Sequence, residues 1–282
     1  MVNERISHQI GFNHLCDLPC IKLQFGNASA VISLYGGQVL SYVPKAEEEV
    51  LWLSPKATWH NNTPIRGGVP VCWPWFGPPE SRLNPMQMSL PNHGVVRTML
   101  WQLTEQRCNN KYTRVVLAVT VNGLPYHSDS VTLQLTVTLS DTLNIDIACA
   151  DKLLQQVALH SYFNIPKLEQ TLVQPLPQHY LDKVSGKSMM GTTTTAEFTS
   201  EVDRIYQQPA DDIHIISANT RVHIKQHGHD ATIVWNPWQD KSRHINDLAD
   251  NNYLEFVCVE TARLQLDTEA PLQLNQTLIA GY

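Results

Sequence analysis

One histidine of this chain lies in a segment where polar and apolar side chains alternate. Successive side chains of a strand point to opposite faces, so His160, Tyr162 and Asn164 share one face, and Leu159 and Phe163 share the other. Histidine gains and loses its proton near neutral pH. Polar groups gathered on one face are typical of a pocket wall, which makes His160 a candidate functional residue. A histidine whose hydrogen bonds are satisfied inside a sheet is the structural alternative.

A carboxylate lies at the end of a similar segment. By the same alternation, Glu260 continues the face of Leu254, Phe256 and Cys258. Apolar neighbours remove water from a carboxylate and raise its pKa, and a raised pKa suits a general base that works near neutral pH. A second interpretation stays open, in which Glu260 marks the strand end and faces water.

The segment Pro64–Arg97 combines glycines, prolines, aromatic rings and cationic side chains. Proline lacks a backbone donor and glycine allows unusual backbone angles, so the composition predicts an ordered binding loop. We expect Arg66, Asn92, His93 and Arg97 to contact a ligand there. The planar guanidinium group suits a phosphate or a carboxylate, although loop arginines also occur without a ligand.

Three aromatic residues of this loop, Trp73, Trp75 and Phe76, offer flat apolar surfaces. The C–H face of a sugar ring can stack on such a surface, and we predict Trp75 as a substrate contact. The alternative is that the rings belong to the core beneath the loop, which we expect of at least one of the three.

Other polar residues have simple structural explanations. Asp203 precedes Arg204, and a turn carboxylate that pairs with the arginine or caps a backbone amide accounts for it when it is considered alone. His223, His227 and His229 raise the question of a metal, but their spacing straddles a His-Gly turn and no cysteine lies nearby. Because no nucleotide motif is present either, we predict no metal and no cofactor.

The elements that must position these residues are strands. Valines and leucines alternate with threonines and a glutamine over Val131–Leu139, and a short turn leads into Leu143–Ile147, which predicts a hairpin. The other predicted strands are Ile21–Phe25, Ala30–Leu34, Gln38–Val43, Val50–Leu53, Trp101–Gln106, Arg114–Val121, Ile213–Ile216, Arg221–Gln226, Ala231–Trp235, Tyr253–Val259 and Leu272–Ile279. The best helix candidate is short, near Ser242–Leu248. Many strands with few helices favour an all-β fold, a large antiparallel β-sandwich, and no linker or repeat divides residues 1–282, so we predict one domain.

Composition narrows the classes of partner. The chain has 282 residues, of which 43% are hydrophobic and 16% charged, and its net charge is -6. This balance argues against nucleic acid and against an anionic membrane surface, so an anionic ligand must be held by local arginines. We find no signal peptide in Met1–Phe25 and no apolar span, and we expect a cytoplasmic monomer. Six scattered cysteines without a Cys-x-x-Cys pair are expected to be reduced and structural.

Taken together, the motifs resemble the aldose 1-epimerase (mutarotase) superfamily, and within it the hexose-6-phosphate mutarotase branch. They occur in the order of the family, between Gly36 and Glu260. The matching segments are Arg66-Gly67-Gly68-Val69-Pro70, Trp73-Pro74-Trp75-Phe76-Gly77, His93-Gly94-Val95-Val96-Arg97, Leu159-His160-Ser161-Tyr162-Phe163, Asp203-Arg204-Ile205-Tyr206, Val234-Trp235-Asn236-Pro237-Trp238 and Cys258-Val259-Glu260.

The resemblance implies a sandwich of the galactose-mutarotase type that interconverts the α and β anomers of a hexose 6-phosphate, such as glucose 6-phosphate. It implies that Glu260 takes the proton of the C1 hydroxyl while His160 protonates the ring oxygen. The implied substrate contacts are Arg66 and Arg97, which favour the phosphate, and His93 and Asp203, which contact sugar hydroxyls.

Two other functions stay open from the sequence. A glycoside hydrolase would use Asp203 and Glu260 as its carboxylate pair, and a non-catalytic sugar-phosphate sensor would keep the pocket without turnover. The chain also departs from many relatives, which have Pro-Gly where Thr261 and Ala262 follow the glutamate, and from some that have glutamine at Trp75. These departures concern the turn after Glu260 and the choice of sugar.

Overall fold

Antiparallel strands make up most of the regular structure in this computed structural model, which describes residues 5–45 and 48–280. The strands, numbered along the chain, are β1 (Ile6–Phe12), β2 (Leu15–Phe25), β3 (Ala28–Ser33), β4 (Gln38–Val43), β5 (Val71–Cys72), β6 (Gln102–Cys108), β7 (Thr113–Val121), β8 (Val131–Leu139), β9 (Leu143–Leu153), β10 (Val157–Leu159), β11 (Tyr162–Asn164), β12 (Thr171–Gln174), β13 (His179–Asp182), β14 (Lys187–Met190), β15 (Ala196–Glu197), β16 (Val202–Gln207), β17 (Asp212–Ser217), β18 (Thr220–His227), β19 (Ala231–Asn236), β20 (Phe256–Arg263) and β21 (Ala270–Ala280). The helices are α1 (Trp238–Ser242) and the 3-10 turns Val96–Thr98, Leu168–Gln170 and Asn252–Leu254.

These strands form three antiparallel sheets within the described residues. A four-stranded sheet has the order β1-β2-β3-β4, and a nine-stranded sheet has the order β15-β12-β17-β18-β21-β9-β8-β7-β6. An eight-stranded sheet runs β14-β13-β16-β19-β20-β10-β5, with β11 also paired to β20. The four-stranded sheet packs against β7 and β8 through β2 and β3. Of the predicted site residues, Asp203 lies on β16 and Glu260 on β20 of the eight-stranded sheet.

The core lies between the two large sheets. On the nine-stranded sheet, Leu135 and Leu274 point inward, and on the eight-stranded sheet Val257 and Val259 meet them in one buried cluster. The alternation in the sequence selects these faces, because residues two apart in a strand point the same way. The predicted antiparallel β-sandwich is therefore confirmed. That residues 1–282 form one domain stays a prediction.

The structure corrects three local predictions. Val50–Leu53 makes isolated bridges rather than a ladder. Strand β20 begins at Phe256, because Asn252–Leu254 forms a 3-10 turn, so Leu254 lies outside the face it was predicted to share. The helix ends at Ser242, where it was predicted to begin: it starts directly after Pro237, whose fixed φ favours a helix start.

Buried cysteines agree with the prediction that they are structural. Cys20, Cys72, Cys149 and Cys258 are buried, Cys16 and Cys108 are exposed, and all six are free thiols. No helix in residues 5–45 and 48–280 is long and apolar enough to cross a bilayer.

Candidate active site

His160 and Glu260 lie side by side on the outer face of the eight-stranded sheet. Glu260 belongs to β20, and both β10 and β11 pair with this strand, so His160, which lies between β10 and β11, is brought next to it. The Nε2 atom of His160 is 3.3 Å from Oε1 of Glu260. The structure thus places two residues that are 100 positions apart in the sequence in direct contact.

Both side chains are buried, which shifts both pKa values. Glu260 is 1% exposed and His160 is 9% exposed. Loss of water raises the pKa of Glu260 well above its usual 4.5, and the nearby Asp203 carboxylate raises it further. Loss of water, with the neighbouring His93 and two arginines, lowers the pKa of His160 well below 6.5. The interpretation in which Glu260 faces water is therefore wrong.

Two buried polar atoms of this pair have no hydrogen-bond partner among residues 5–45 and 48–280. They are Oε2 of Glu260 and Nδ1 of His160. Buried polar groups in proteins are nearly always hydrogen-bonded, so groups left without a partner need an explanation. Both retain the capacity to bond a polar ligand, which is what an acid and a base require.

Aromatic rings enclose the pair. Tyr162 stacks on His160, with 4.9 Å between ring centroids, and Trp235 contacts the same imidazole edge-on at 6.1 Å. The predicted polar row ends at Tyr162, because Asn164 donates its amide hydrogens to the backbone oxygens of Glu49 and Leu51. The pocket wall is therefore mainly aromatic, and Asn164 has a structural role.

Arg66 is held in place by two partners. Its Nε atom is 3.0 Å from Oδ1 of Asp247, and its Nη1 atom donates to the Tyr162 hydroxyl at 3.0 Å. Gly68 follows closely with a φ of +62°, and a Cβ added there would lie 2.2 Å from the Val39 oxygen, which leaves no room for a side chain. The guanidinium is consequently fixed beside His160, with its charge balanced by Asp247.

Arg97, Asn92 and His93 lie together at the other end of the loop. Arg97 donates through Nη2 to the backbone oxygen of Asn92 at 2.6 Å, while its buried Nε has no partner in the described chain. Burial, with the cations Arg97, Lys183 and Arg66, lowers the pKa of His93 to about 3. Because its Nδ1 accepts from the Gly77 amide at 3.3 Å, neutral His93 carries its proton on Nε2 and can donate it to a sugar hydroxyl.

The loop aromatics divide between core and site. Trp73 and Trp75 are 0% exposed, and their indole N–H groups donate to Gln155 and to the Pro91 backbone oxygen. The prediction that Trp75 contacts the substrate is therefore wrong, because its ring is enclosed by protein. Phe76 alone reaches the site, where its ring centroid is 4.8 Å from that of His93.

Asp203 is a strand residue rather than a turn carboxylate. It lies in β16, opposite Trp235 in β19, and its carboxylate is 3.9 Å from the Lys241 ammonium. Burial raises its pKa, whereas Lys183 and Lys241 lower it. The explanation by a turn or by Arg204 is wrong, and Asp203 faces the same side of the sheet as the site.

Two site residues carried no signal in the sequence. Asp247, the partner of Arg66, fell inside a predicted helix, and Lys183 follows β13 in a polar hairpin. The Lys183 ammonium lies 5.5 Å from the centroid of the Phe76 ring. Neither belongs to a motif, and only the approach of distant segments reveals them.

The residues after Glu260 remain in strand β20. Thr261 pairs with Leu159 and with Thr232, and β20 runs on to Arg263. There is thus no turn at Thr261-Ala262, and both residues belong to β20.

Two cavities could bind a ligand, one beside this site and one away from it. A cavity of about 380 Å³ is lined by Phe76, Gly77 and Lys183. A larger one of about 1190 Å³, lined by His227 and His229 among others, contains none of the predicted site residues. The contact between His160 and Glu260 and their unpaired polar atoms identify the candidate site, and the volume of the cavities does not. No group of three His, Cys, Asp or Glu side chains in the described ranges is arranged to hold a metal.

Comparisons with known proteins identify the family of this chain. The aldose 1-epimerase family profile matches residues 19–275. Proteins named "Putative glucose-6-phosphate 1-epimerase" from Salmonella typhimurium and from Escherichia coli are each 32% identical, covering 98% of this chain and 95% of theirs. The crystal structure of a "putative mutarotase (YeaD)" from Salmonella typhimurium has a TM-score of 0.89 at 30% identity, covering 100% of this chain and 95% of that one. The resemblance in the motifs is confirmed, and the chain belongs to the aldose 1-epimerase family of isomerases, whose substrates are sugars.

Proposed function

We propose that this protein is a hexose-6-phosphate mutarotase that interconverts the α and β anomers of glucose 6-phosphate or a related sugar. The observation that carries the proposal is the buried contact of 3.3 Å between His160 and Glu260. Anomerisation moves only protons and one C–O bond, so it needs an acid, a base and a positioned sugar. The names of the relatives support the phosphorylated substrate.

In the proposed reaction, the Glu260 carboxylate accepts the proton of the C1 hydroxyl. As the C1–O5 bond breaks, its electron pair goes to O5, which takes a proton from His160, and C1 becomes an aldehyde. Rotation by about 180° around the C1–C2 bond exposes the other face of the carbonyl. Attack by the C5 hydroxyl then closes the ring, with His160 taking a proton and Glu260 returning one.

Burial opposes the charged forms of both groups, because it raises the pKa of Glu260 and lowers the pKa of His160. These shifts favour the form of the pair with its proton on Glu260 and both groups neutral. The reactive form has this proton on His160 and the charge on Glu260. Because the two side chains are in contact, the proton can pass between them without solvent.

The surrounding residues would fix the position of the sugar relative to His160 and Glu260. Neutral His93 donates from Nε2, and Asp203 accepts from hydroxyl groups. Arg66, fixed by Asp247 and Tyr162, is rigid enough to orient the ring next to His160. Arg97 is a cation for the phosphate.

Exchange between anomers measured by NMR tests the proposal. We expect wild-type protein to accelerate exchange of glucose 6-phosphate, and Glu260→Gln and His160→Gln each to lower kcat by about 10²-fold or more, since each removes one proton-transfer group. Unchanged circular dichroism and melting behaviour would show that both variants fold.

Three outcomes would contradict the proposal. Full activity in either variant would remove that residue from the mechanism. A wild-type protein that binds glucose 6-phosphate without accelerating exchange would be the sensor, and cleavage of a chromogenic glycoside that depends on Asp203 and Glu260 would indicate the hydrolase.

A further inference from the structure

The cations around the site differ in how far their charge is already balanced. Arg66 has Asp247 at 3.0 Å, and Lys241 has Glu201 at 2.6 Å and Asp203 at 3.9 Å. No carboxylate of residues 5–45 or 48–280 lies within 4 Å of Arg97 or Lys183. A dianion gains most from cations that have no carboxylate at close range, which favours Arg97 and Lys183. At longer range Lys183 also acts on the carboxylates of Asp203 and Glu260 and lowers both pKa values.

The backbone of Lys183 is fixed beside the site carboxylates. Its amide donates to the backbone oxygen of Asp203 at 2.8 Å, where the hairpin of β13 and β14 meets β16. The side chain is exposed, so four methylene groups carry the ammonium with freedom to adjust. A lysine of this kind acts as an adaptable point charge.

The ammonium lies against the same wall as His93. It is 5.5 Å from the centroid of the Phe76 ring, and that ring is 4.8 Å from the imidazole of His93. Lys183 and Arg97 both contribute to the low pKa of His93, after burial. The two cations are thus close to one neutral imidazole.

Lys183 also lines a cavity that opens beside the site. Phe76, Gly77, Glu80 and Asp230 are among the other lining residues, Arg97 is not among them, and the cavity volume is about 380 Å³. This space leaves the Lys183 side chain room to adjust its position.

We propose that Lys183 acts with Arg97 to bind the phosphate of the substrate and thereby sets the preference for phosphorylated over free hexoses. Arg66 in this scheme positions the sugar and Tyr162, because its charge is already balanced by Asp247. The inference rests on the proposed mutarotase function and names the residues that recognise its substrate.

The test compares Lys183→Met, which keeps the apolar stem on Phe76, with Lys183→Arg, which keeps the charge. We expect Lys183→Met to raise KM for glucose 6-phosphate about tenfold, with kcat within about twofold, as loss of one charge-assisted contact does. The loss for free glucose should be much smaller than the loss for glucose 6-phosphate, Lys183→Arg should recover most of the loss, and Arg97→Met should resemble Lys183→Met. Lys187→Met, on the same exposed hairpin, is the matched control and should match wild type.

Inorganic phosphate separates this inference from the proposed function. By calorimetry, wild-type protein should bind phosphate, and Lys183→Met should weaken that binding about tenfold whether or not anomers are exchanged. Equal losses for glucose and glucose 6-phosphate, or phosphate binding that is unchanged in Lys183→Met, would overturn the role of Lys183. Absence of accelerated exchange in wild type would contradict the proposed function alone.

Discussion

At the scale of single residues, burial makes Glu260 useful and also destabilising. The raised pKa of Glu260, which would make it a stronger base in the proposed reaction, means that the folded chain resists its ionisation. Gln156 and Trp73, by comparison, are buried with their polar atoms bonded. Functional sites often contain side chains that lower the stability of the folded protein, because the function requires them in surroundings that disfavour their charged form.

This opposition gives a pH-dependent prediction for Glu260→Gln. Above pH 4.5 the unfolded chain releases a proton that the folded chain retains, so the wild-type free energy of unfolding falls as pH rises toward the folded pKa. The amide does not titrate. We expect the variant to gain stability relative to wild type by about 1.4 kcal/mol per pH unit between the two pKa values, measured by urea unfolding at pH 5, 6, 7 and 8.

Glu197→Gln, which replaces an exposed carboxylate by the same amide, is the control for the substitution itself. If Glu260→Gln and wild type differ by the same amount at every pH, Glu260 ionises in the folded protein as it does in the unfolded one.

At the scale of elements, the Pro64–Arg97 loop is held by backbone contacts. The His160 amide donates to the backbone oxygen of Pro70 and the Tyr162 amide to that of Gly68. These bonds join the loop to the segment that carries His160, the proposed acid. At its far end, a Cβ on Gly94 would lie 1.8 Å from the Trp73 oxygen. The glycines of the motif are therefore required by close packing of backbone on backbone.

Gly94→Ala should be strongly destabilising and should displace His93. The φ of Gly94 is +76°, and the overlap with Trp73 adds to the cost of a left-handed alanine. Gly123 has a φ of +70°, and a Cβ added there would have no other atom within 4 Å, so Gly123→Ala measures the backbone cost alone, about 1–2 kcal/mol. We expect thermal and urea unfolding to show a loss of stability for Gly94→Ala that is at least about twice the loss for Gly123→Ala. Equal losses would mean that the loop moves away from Trp73 and relieves the overlap.

At the scale of the whole molecule, a buried polar chain joins the two large sheets beneath the site. Gln226 of β18 accepts from Thr261 at 2.8 Å and from Thr232 at 3.1 Å. Gln276 of β21 donates to Thr261 at 2.8 Å and accepts from Ser161 at 2.5 Å. Thr261 and Ser161 are the sequence neighbours of Glu260 and His160, so these bonds fix the position of the segments that carry Glu260 and His160 relative to the opposite sheet.

Gln226→Met should therefore reduce stability. The thioether has nearly the same length but leaves the hydroxyl groups of Thr232 and Thr261 with fewer partners, and a buried unsatisfied group costs about 1–3 kcal/mol. Urea unfolding should show a loss in this range, whereas Gln178→Met on the exposed surface should change little. A Gln226→Met protein as stable as wild type would mean that the core takes up the change without unsatisfied groups.

Local sequence predicted those features that depend on local chemistry. The alternation of side chains indicated most of the strands and their inward faces, because the period of a strand is two residues. It also placed Glu260 beside Phe256 and Cys258, and the motifs pointed to the family that the comparisons confirmed. Where the alternating pattern was short or interrupted, as at Val50–Leu53, the sequence predicted a strand that the structure does not form.

The tertiary structure decided what depends on contacts between distant segments. Asp247 and Arg66, which form an ion pair, are 181 positions apart in the sequence. Lys183, in a hairpin, lies close to Phe76, in the loop. Trp75 is buried by segments that are distant in the sequence, and local patterns do not predict which segments these are. Burial and ion pairing are properties of the packed surroundings, and a side chain's own neighbours in the sequence supply only part of them. The sequence by itself thus determined which groups could perform acid–base chemistry on a sugar, while packing alone decided which cations were left without a carboxylate.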